Sequence, residues 1–148
     1  MYQRFKSFTV LMLSINRAIH KIKTEEVAEF NLKSQHVSCL YYLYKENSLT
    51  AKELCDICEE DKSYVSHSIK FLESNGFIEC GQDAKKRYKA ELTLTEKGLD
   101  VAKRIALKID AAFTHASDGL SESDRESLYK SLNIVNANLQ KMCIKYGE

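Results

Sequence analysis

One short stretch of the chain concentrates side chains suited to binding a structured polyanion. Val65, Ile69 and Leu72 recur at i, i+4 and i+7, which predicts a helix from Lys62 to Ser74 with one buried face. Ser63, Tyr64, Ser66, His67 and Lys70 then remain on the exposed face, clustered in the first two to three turns. A helix of this width fits the major groove of duplex DNA, and residues near its N-terminus reach base edges. Ser, Tyr and His can donate or accept hydrogen bonds there, while Lys62 and Lys70 suit phosphates. Asp61 is the expected N-cap, and the N–H groups of such a helix start favour an anion.

The chain carries a net charge of only +1, so the electrostatic argument is a local one. From Lys62 to Lys89, six basic residues (62, 70, 85, 86, 87 and 89) stand against three acids (73, 79 and 83). From Leu49 to Asp61, one lysine stands against five acids (53, 56, 59, 60 and 61). That acidic segment cannot lie flat on a phosphate backbone; only Thr50 and Lys52, at its start, are placed to approach one. Lys85, Lys86 and Arg87 form the cationic end of the connector Gly81 to Arg87, which lies beyond the groove-facing helix. A neutral chain with its basic residues confined to one helix and one hairpin suits groove-directed binding.

The elements that must position these residues follow from periodicity. Thr50-Ala-Lys-Glu53 is a capping-box pattern opening a short helix with Leu54, Ile57 and Cys58 on its apolar face. Ser34 to Glu46 repeats Val37, Leu40, Leu43 and Tyr44 at helical spacing, with Ser34 as its cap and Asn47-Ser48 as the break. Asn75-Gly76 ends the groove-facing helix, with Gly in the left-handed position and Phe77 as the apolar contact. Phe77 to Cys80 is β-prone, and Tyr88 to Leu94 alternates with Tyr88, Ala90, Leu92 and Leu94 on one face. Two short helices and a basic-tipped hairpin describe a winged helix-turn-helix.

Long helical seams flank this module. Phe5, Phe8, Met12, Ile15, Ile19 and Ile22 form one; Leu99, Ala102, Ala106, Ile109, Phe113 and Ala116 a second; Leu128, Leu132, Val135, Leu139, Met142 and Tyr146 a third. Ser121-Glu-Ser-Asp124 separates the last two as a helix start. These seams exceed what the central module can cover and point to packing between chain ends and against a second copy, an intramolecular helical bundle being the alternative that the same period allows. The fold class is therefore mainly α with a small β-hairpin wing, the winged helix-turn-helix being flanked by N- and C-terminal dimerisation helices.

Other chemistries lack their residues. Cys55-x-x-Cys58 has no second ligand pair for a structural zinc site and no βαβ setting for thiol–disulfide exchange, so core packing is the expected role. Cys39 and Cys80 remain the candidates for thiol sensing. His20, His36, His67 and His115 show no i, i+4 pairing, and no nucleophile–base pair or glycine-rich phosphate loop is present. No metal, no cofactor and no enzymatic activity is expected. His20, His36, Tyr41 and Tyr44 are candidates to line a small-molecule effector cavity between the end helices and the central module. At 148 residues with 44% apolar and 29% charged content, a folded, non-membrane chain is expected. The apolar run Phe8 to Ile15 follows Arg4 and Lys6 but has no small-residue cleavage site nearby, so a cytoplasmic protein is expected.

Thr50-Ala-Lys-Glu-Leu-Cys55, Asp61-Lys-Ser-Tyr-Val-Ser-His67, Leu72-Glu-Ser-Asn-Gly-Phe-Ile78 and Leu94-Thr-Glu-Lys-Gly98 together resemble the MarR family of winged-helix transcription regulators. The resemblance covers nearly the whole chain. It implies a single domain over 1–148: an N-terminal dimerisation helix in 1–30, the winged helix-turn-helix in 34–95 and C-terminal dimerisation helices in 96–148. It further implies a homodimer on a pseudo-palindromic double-stranded operator, acting as a repressor released by a small molecule or stress signal. Each groove-facing helix would enter a major groove and each wing lie near a minor groove. Arg87 falls at the family's wing arginine, and Lys86 stands where an acid usually precedes it, which favours plain phosphate contact by Lys85 and Lys86. The competing reading is a winged-helix protein-interaction module that does not bind DNA.

Overall fold

The computed structural model describes residues 2–58, 61–81 and 89–146. Along these residues run helix α1 (Tyr2–Glu25), a 3-10 turn (Ala28–Phe30), α2 (Ser34–Glu46), strand β1 (Ser48–Thr50), α3 (Ala51–Cys58), α4 (Lys62–Ser74), β2 (Ile78–Cys80), β3 (Glu91–Leu94), α5 (Glu96–Ala116) and α6 (Glu122–Ile144). The chain divides into two compact units, Met1–Ala112 and Phe113–Glu148.

The core of the first unit is built from the faces that periodicity selects. Leu40 and Leu43 of α2, Leu54 of α3, Leu72 of α4, Leu92 of β3 and Ile105 of α5 are all fully buried in one cluster. Val65 and Ile69 join Leu72 on the inner face of α4, as expected. Ser68 is buried beside them. On α5 the predicted seam divides: Ala102, Ala106 and Ile109 are buried together with Ile105, whereas Leu99 and Phe113 are exposed. On α3, Ile57 is exposed while Leu54 carries the burial, and Cys55 and Cys58 pack half-buried against the core.

Helix ends account for most of the local geometry. The Thr50 amide and hydroxyl both donate to Glu53 Oε2, at 2.7 and 2.8 Å, and Thr50 Oγ1 accepts from the Glu53 amide at 3.2 Å. Asp61 Oδ1 accepts from the Ser63 amide at 3.0 Å and so caps α4. α4 ends in a Schellman motif: Gly76 has φ of +72°, its amide donates to the Glu73 carbonyl, and the Phe77 amide donates to the Leu72 carbonyl. The start of α2 differs from expectation. Ser34 is its first helical residue and Lys33 takes the cap position, where its amide donates to His36 Nδ1 at 3.2 Å.

The sheet has one strand more than the hairpin the sequence suggests. β3 lies in the middle, antiparallel to both neighbours, in the order β1-β3-β2. Leu49 pairs with Leu92 on one side, and Cys80 pairs with Leu92 on the other. The segment 47–50 reads as a break and a cap because it is so short; Ser48–Thr50 is a strand that runs directly into α3. β3 is in turn shorter than the alternation suggests. Ala90 is buried but stands before the strand, and Tyr88 lies outside the described residues.

A compact knot joins the end of α4 to the start of α5. Thr95 donates its amide to the Phe77 carbonyl at 3.1 Å and its hydroxyl to the Gly76 carbonyl at 2.7 Å. Thr95 Oγ1 also accepts from the Gly98 amide at 3.0 Å, capping α5. Lys97 donates to the Asn75 carbonyl at 2.7 Å and lies 4.2 Å above the Phe77 ring. Gly98 packs so closely on Phe77 that an added Cβ would sit 1.8 Å from the Phe77 carbonyl oxygen.

In the second unit, α6 opens with a capping box in which Ser121 Oγ accepts from the Asp124 amide and Asp124 accepts from the Ser121 amide. α6 buries none of its described residues, and Leu128, Leu139, Met142 and Ile144 are all exposed.

Candidate nucleic-acid interface

The face of α4 opposite Val65, Ile69 and Leu72 is open to solvent. Ser63, Tyr64, Ser66, His67 and Lys70 are all exposed, with Tyr64 at 56%. Lys62 is exposed in the first turn, and Lys52 is exposed in the first turn of α3. Thr50 is half-buried, with its amide and hydroxyl committed to Glu53. Those two hydrogen bonds, the amide's first, hold the Glu53 carboxyl below its usual range. One N–H at the start of α4 is likewise occupied by Asp61. Lys85, Lys86 and Arg87 lie outside the described residues.

A cavity of about 710 Å³ opens among α3, α4 and the sheet. Lys52, Lys62, Ser66 and Lys70 all line it, so the fold gathers four of the predicted contact residues around one cleft. Cys55 and Cys80 line it as well. Sequence spacing could not bring Cys80 to this site, because that depends on β2 pairing with β3 beside α3.

The four residues predicted for an effector cavity are placed apart from this cleft. His20 is exposed on α1. His36 is only 4% exposed and stacks on Phe71 of α4, with ring centroids 4.1 Å apart. Tyr41 donates to Asp110 Oδ1 at 2.7 Å, and Lys45 pairs with Asp110 Oδ2 at 2.6 Å, linking α2 to α5. Burial, followed by that bond to Asp110, pushes the Tyr41 hydroxyl up to about 12. Tyr44 packs half-buried against the core.

Desolvation lowers the His36 pKa, and the nearby Lys33 charge adds to the effect. The unfolded chain then binds a proton that the folded chain resists. Stability should be full above about pH 6.5 and fall as the pH drops below it, by no more than about 1.4 kcal/mol per pH unit for one proton. Urea titrations at pH 7.5 and 5.5 should show this loss in the native chain and a smaller one in His36→Phe. Equal losses in both would dismiss His36 as the titrating group.

Two helices whose second presents a polar, cationic outer face, backed by a three-stranded sheet, make a winged helix-turn-helix. Comparison with known proteins agrees. Residues 36–111 match the family described as winged helix DNA-binding domain. The HTH-type transcriptional regulator YdcH of Bacillus subtilis (strain 168), itself uncharacterized, is 33% identical over 100 residues, covering 62% of this chain and 67% of its own. A MarR family transcriptional regulator from Listeria monocytogenes, solved in complex with 26mer DNA, superposes with a TM-score of 0.79 at 27% identity over 93% of both chains. Staphylococcus aureus MarR in complex with salicylate and kanamycin shares the fold, with a TM-score of 0.78 at 18% identity over 94% of both chains. The chain belongs to the MarR family of winged-helix transcription regulators. Among the described residues, no helix is long and apolar enough to cross a membrane.

Proposed function

We propose that the chain is a homodimeric repressor that recognises a pseudo-palindromic operator and leaves it when a small molecule or stress signal binds. The observation that carries this reading is the outer face of α4, where Ser63, Tyr64, Ser66, His67 and Lys70 are exposed while Lys62 flanks them. Tyr64 and His67 would contact base edges; Lys52, Lys62 and Lys70 would hold phosphates, together with Lys85, Lys86 and Arg87 of the wing. Thr50 would approach a phosphate from the start of α3. A second copy is suggested by apolar surface that a lone protomer leaves in water, on α1 at Val10, Leu11 and Leu13 and on α6 at Leu139 and Met142. Dimerisation would set the two α4 helices about one DNA turn apart, roughly 34 Å. A signal that favoured another separation would release DNA by population shift. His20, His36, Tyr41 and Tyr44 are the proposed effector-responsive positions, and the relative bound to salicylate supports a ligand-responsive role.

Fluorescence anisotropy against mixed-sequence duplex at several salt concentrations tests the first step. Six neutralised phosphates would give a log–log slope of about −5. Selection from a random duplex pool then tests the base readers: Tyr64→Ala and His67→Ala should alter the consensus, and an unchanged consensus would remove them. Absence of binding even at low salt would favour the protein-interaction module instead.

A further inference from the structure

Asn75-Gly76 ends the groove-facing helix, and it is also a chemically labile dipeptide. Glycine has no Cβ to hinder its own amide nitrogen, so that nitrogen can close on the carboxamide carbon of a preceding asparagine. The chain contains this pair once; its other asparagines precede Arg17, Leu32, Ser48, Ile134, Ala137 and Leu139. Asn75 and Gly76 are both exposed, so water reaches the turn and burial does not protect it. Hydrogen bonds and dihedral angles do. Asn75 has ψ of 6°, which holds the Gly76 nitrogen away from Cβ, whereas ring closure needs it alongside. Asn75 Nδ2 donates to the Phe71 carbonyl at 2.7 Å, and the Gly76 amide donates to the Glu73 carbonyl at 3.0 Å. The Asn75 carbonyl accepts from Lys97 Nζ at 2.7 Å, and the Gly76 carbonyl from the Thr95 hydroxyl at 2.7 Å. The peptide units on both sides of Gly76 are thus fixed by the cap and first turn of α5.

We propose that Asn75 is a site of spontaneous deamidation that this knot holds shut, and that a chain whose turn has opened is converted there to isoaspartate and loses the native stop of α4. In the open turn the Gly76 nitrogen bonds Asn75 Cγ, and the Cγ–Nδ2 bond breaks. The proton lost by the Gly76 nitrogen leaves with the amine as ammonia, and a cyclic imide remains. Water then adds to one imide carbonyl and the ring opens. Attack at the main-chain carbonyl carbon gives isoaspartate, and attack at Cγ gives aspartate. The sum is asparagine plus water to the acid plus ammonia, with no oxidant. In isoaspartate the main chain runs through Cβ and Cγ, which adds one carbon before the Gly76 nitrogen. The Gly76 and Phe77 amides then lose the register with the Glu73 and Leu72 carbonyls that the Schellman motif requires.

The rate at each asparagine can be followed in the full chain by peptide mass mapping in mildly alkaline buffer. In guanidinium chloride Asn75 should react faster than Asn47, the exposed asparagine before Ser48. In native buffer of equal ionic strength Asn75 should react at least about hundredfold more slowly than in denaturant, because it waits for the turn to open. Thr95→Ala and Lys97→Met should each raise the native rate about threefold or more, as for the loss of one hydrogen bond. A variant that failed to fold would react at the denatured rate, and the other would then decide. The isoaspartate chain, purified and returned to native buffer, should unfold at a lower denaturant concentration than Asn75→Asp, which has the same charge on the native backbone. A rate at Asn75 in denaturant no greater than at Asn47 would overturn the site. Equal native and denatured rates, or no acceleration in either variant, would overturn the knot as its lock. Equal unfolding midpoints for the isoaspartate chain and Asn75→Asp would overturn the loss of the stop.

Discussion

Gly98→Ala should destabilise the protein by about 3 kcal/mol or more, although alanine is the better helix former by about 1 kcal/mol. Gly98 lies in the first turn of α5, where a Cβ would stand 1.8 Å from the Phe77 carbonyl oxygen and 2.7 Å from its carbonyl carbon. Both atoms are backbone, so no side chain can swing aside. The carbonyl is also fixed, because it accepts from the Thr95 amide at 3.1 Å. α5 would have to lift from the turn that ends α4, breaking the Thr95 and Lys97 bonds to Gly76 and Asn75. Urea denaturation monitored by circular dichroism measures the change. A stabilised variant would mean that helix propensity wins and that the close approach is not real.

The second large effect concerns charge. Lys62→Ala combined with Lys70→Ala should weaken duplex binding by tenfold or more and make the log–log salt slope shallower by about 2, as for two lost phosphate contacts. Both side chains are exposed, so the fold should survive, and Lys130→Ala on α6 provides an exposed lysine outside the interface for comparison. The distinction from Tyr64 and His67 lies in sequence dependence. Losing a phosphate contact weakens all duplexes alike, whereas losing a base contact changes which duplex is preferred. An unaltered salt slope in the double variant would place the two lysines away from the backbone.

Features set by local chemistry were legible before folding was considered. The buried face of α4, the Asp61 cap and the Gly76 stop each depend on residues within a turn or two of one another, and each is present as spacing indicated. Nonlocal features were not legible. β1 is three residues long and contains no alternation to detect; it is a strand only because Leu49 meets Leu92 from a distant segment. Ser34 lost its role as cap because His36, two residues on, supplies the acceptor for the Lys33 amide. The exposure of Ile57 likewise follows from α3 turning Leu54 to the core, a choice among apolar residues that a short helix does not announce. At the interface, the types and exposure of the α4 residues could be read directly. Their gathering with Lys52 and Cys80 around one cleft required the tertiary structure.

The position of β3 in the sheet has a consequence for the order in which the protein can form. Both edge strands are synthesised before the central strand they share: Ser48 waits for Thr93, and Ile78 for Leu94. Until residue 94 has left the ribosome, β1 and β2 have no ladder partner in that sheet, and the amides and carbonyls that pair with β3 must be satisfied by water. The knot that follows at Thr95 then closes immediately onto Gly76 and Phe77. The helices α2, α3 and α4 can pack on one another before then, but the sheet is completed only when the stretch from Glu91 to Gly98 joins both edge strands and the end of α4. A nascent chain halted before that stretch would hold α4 against α2 and α3 but without the sheet behind it.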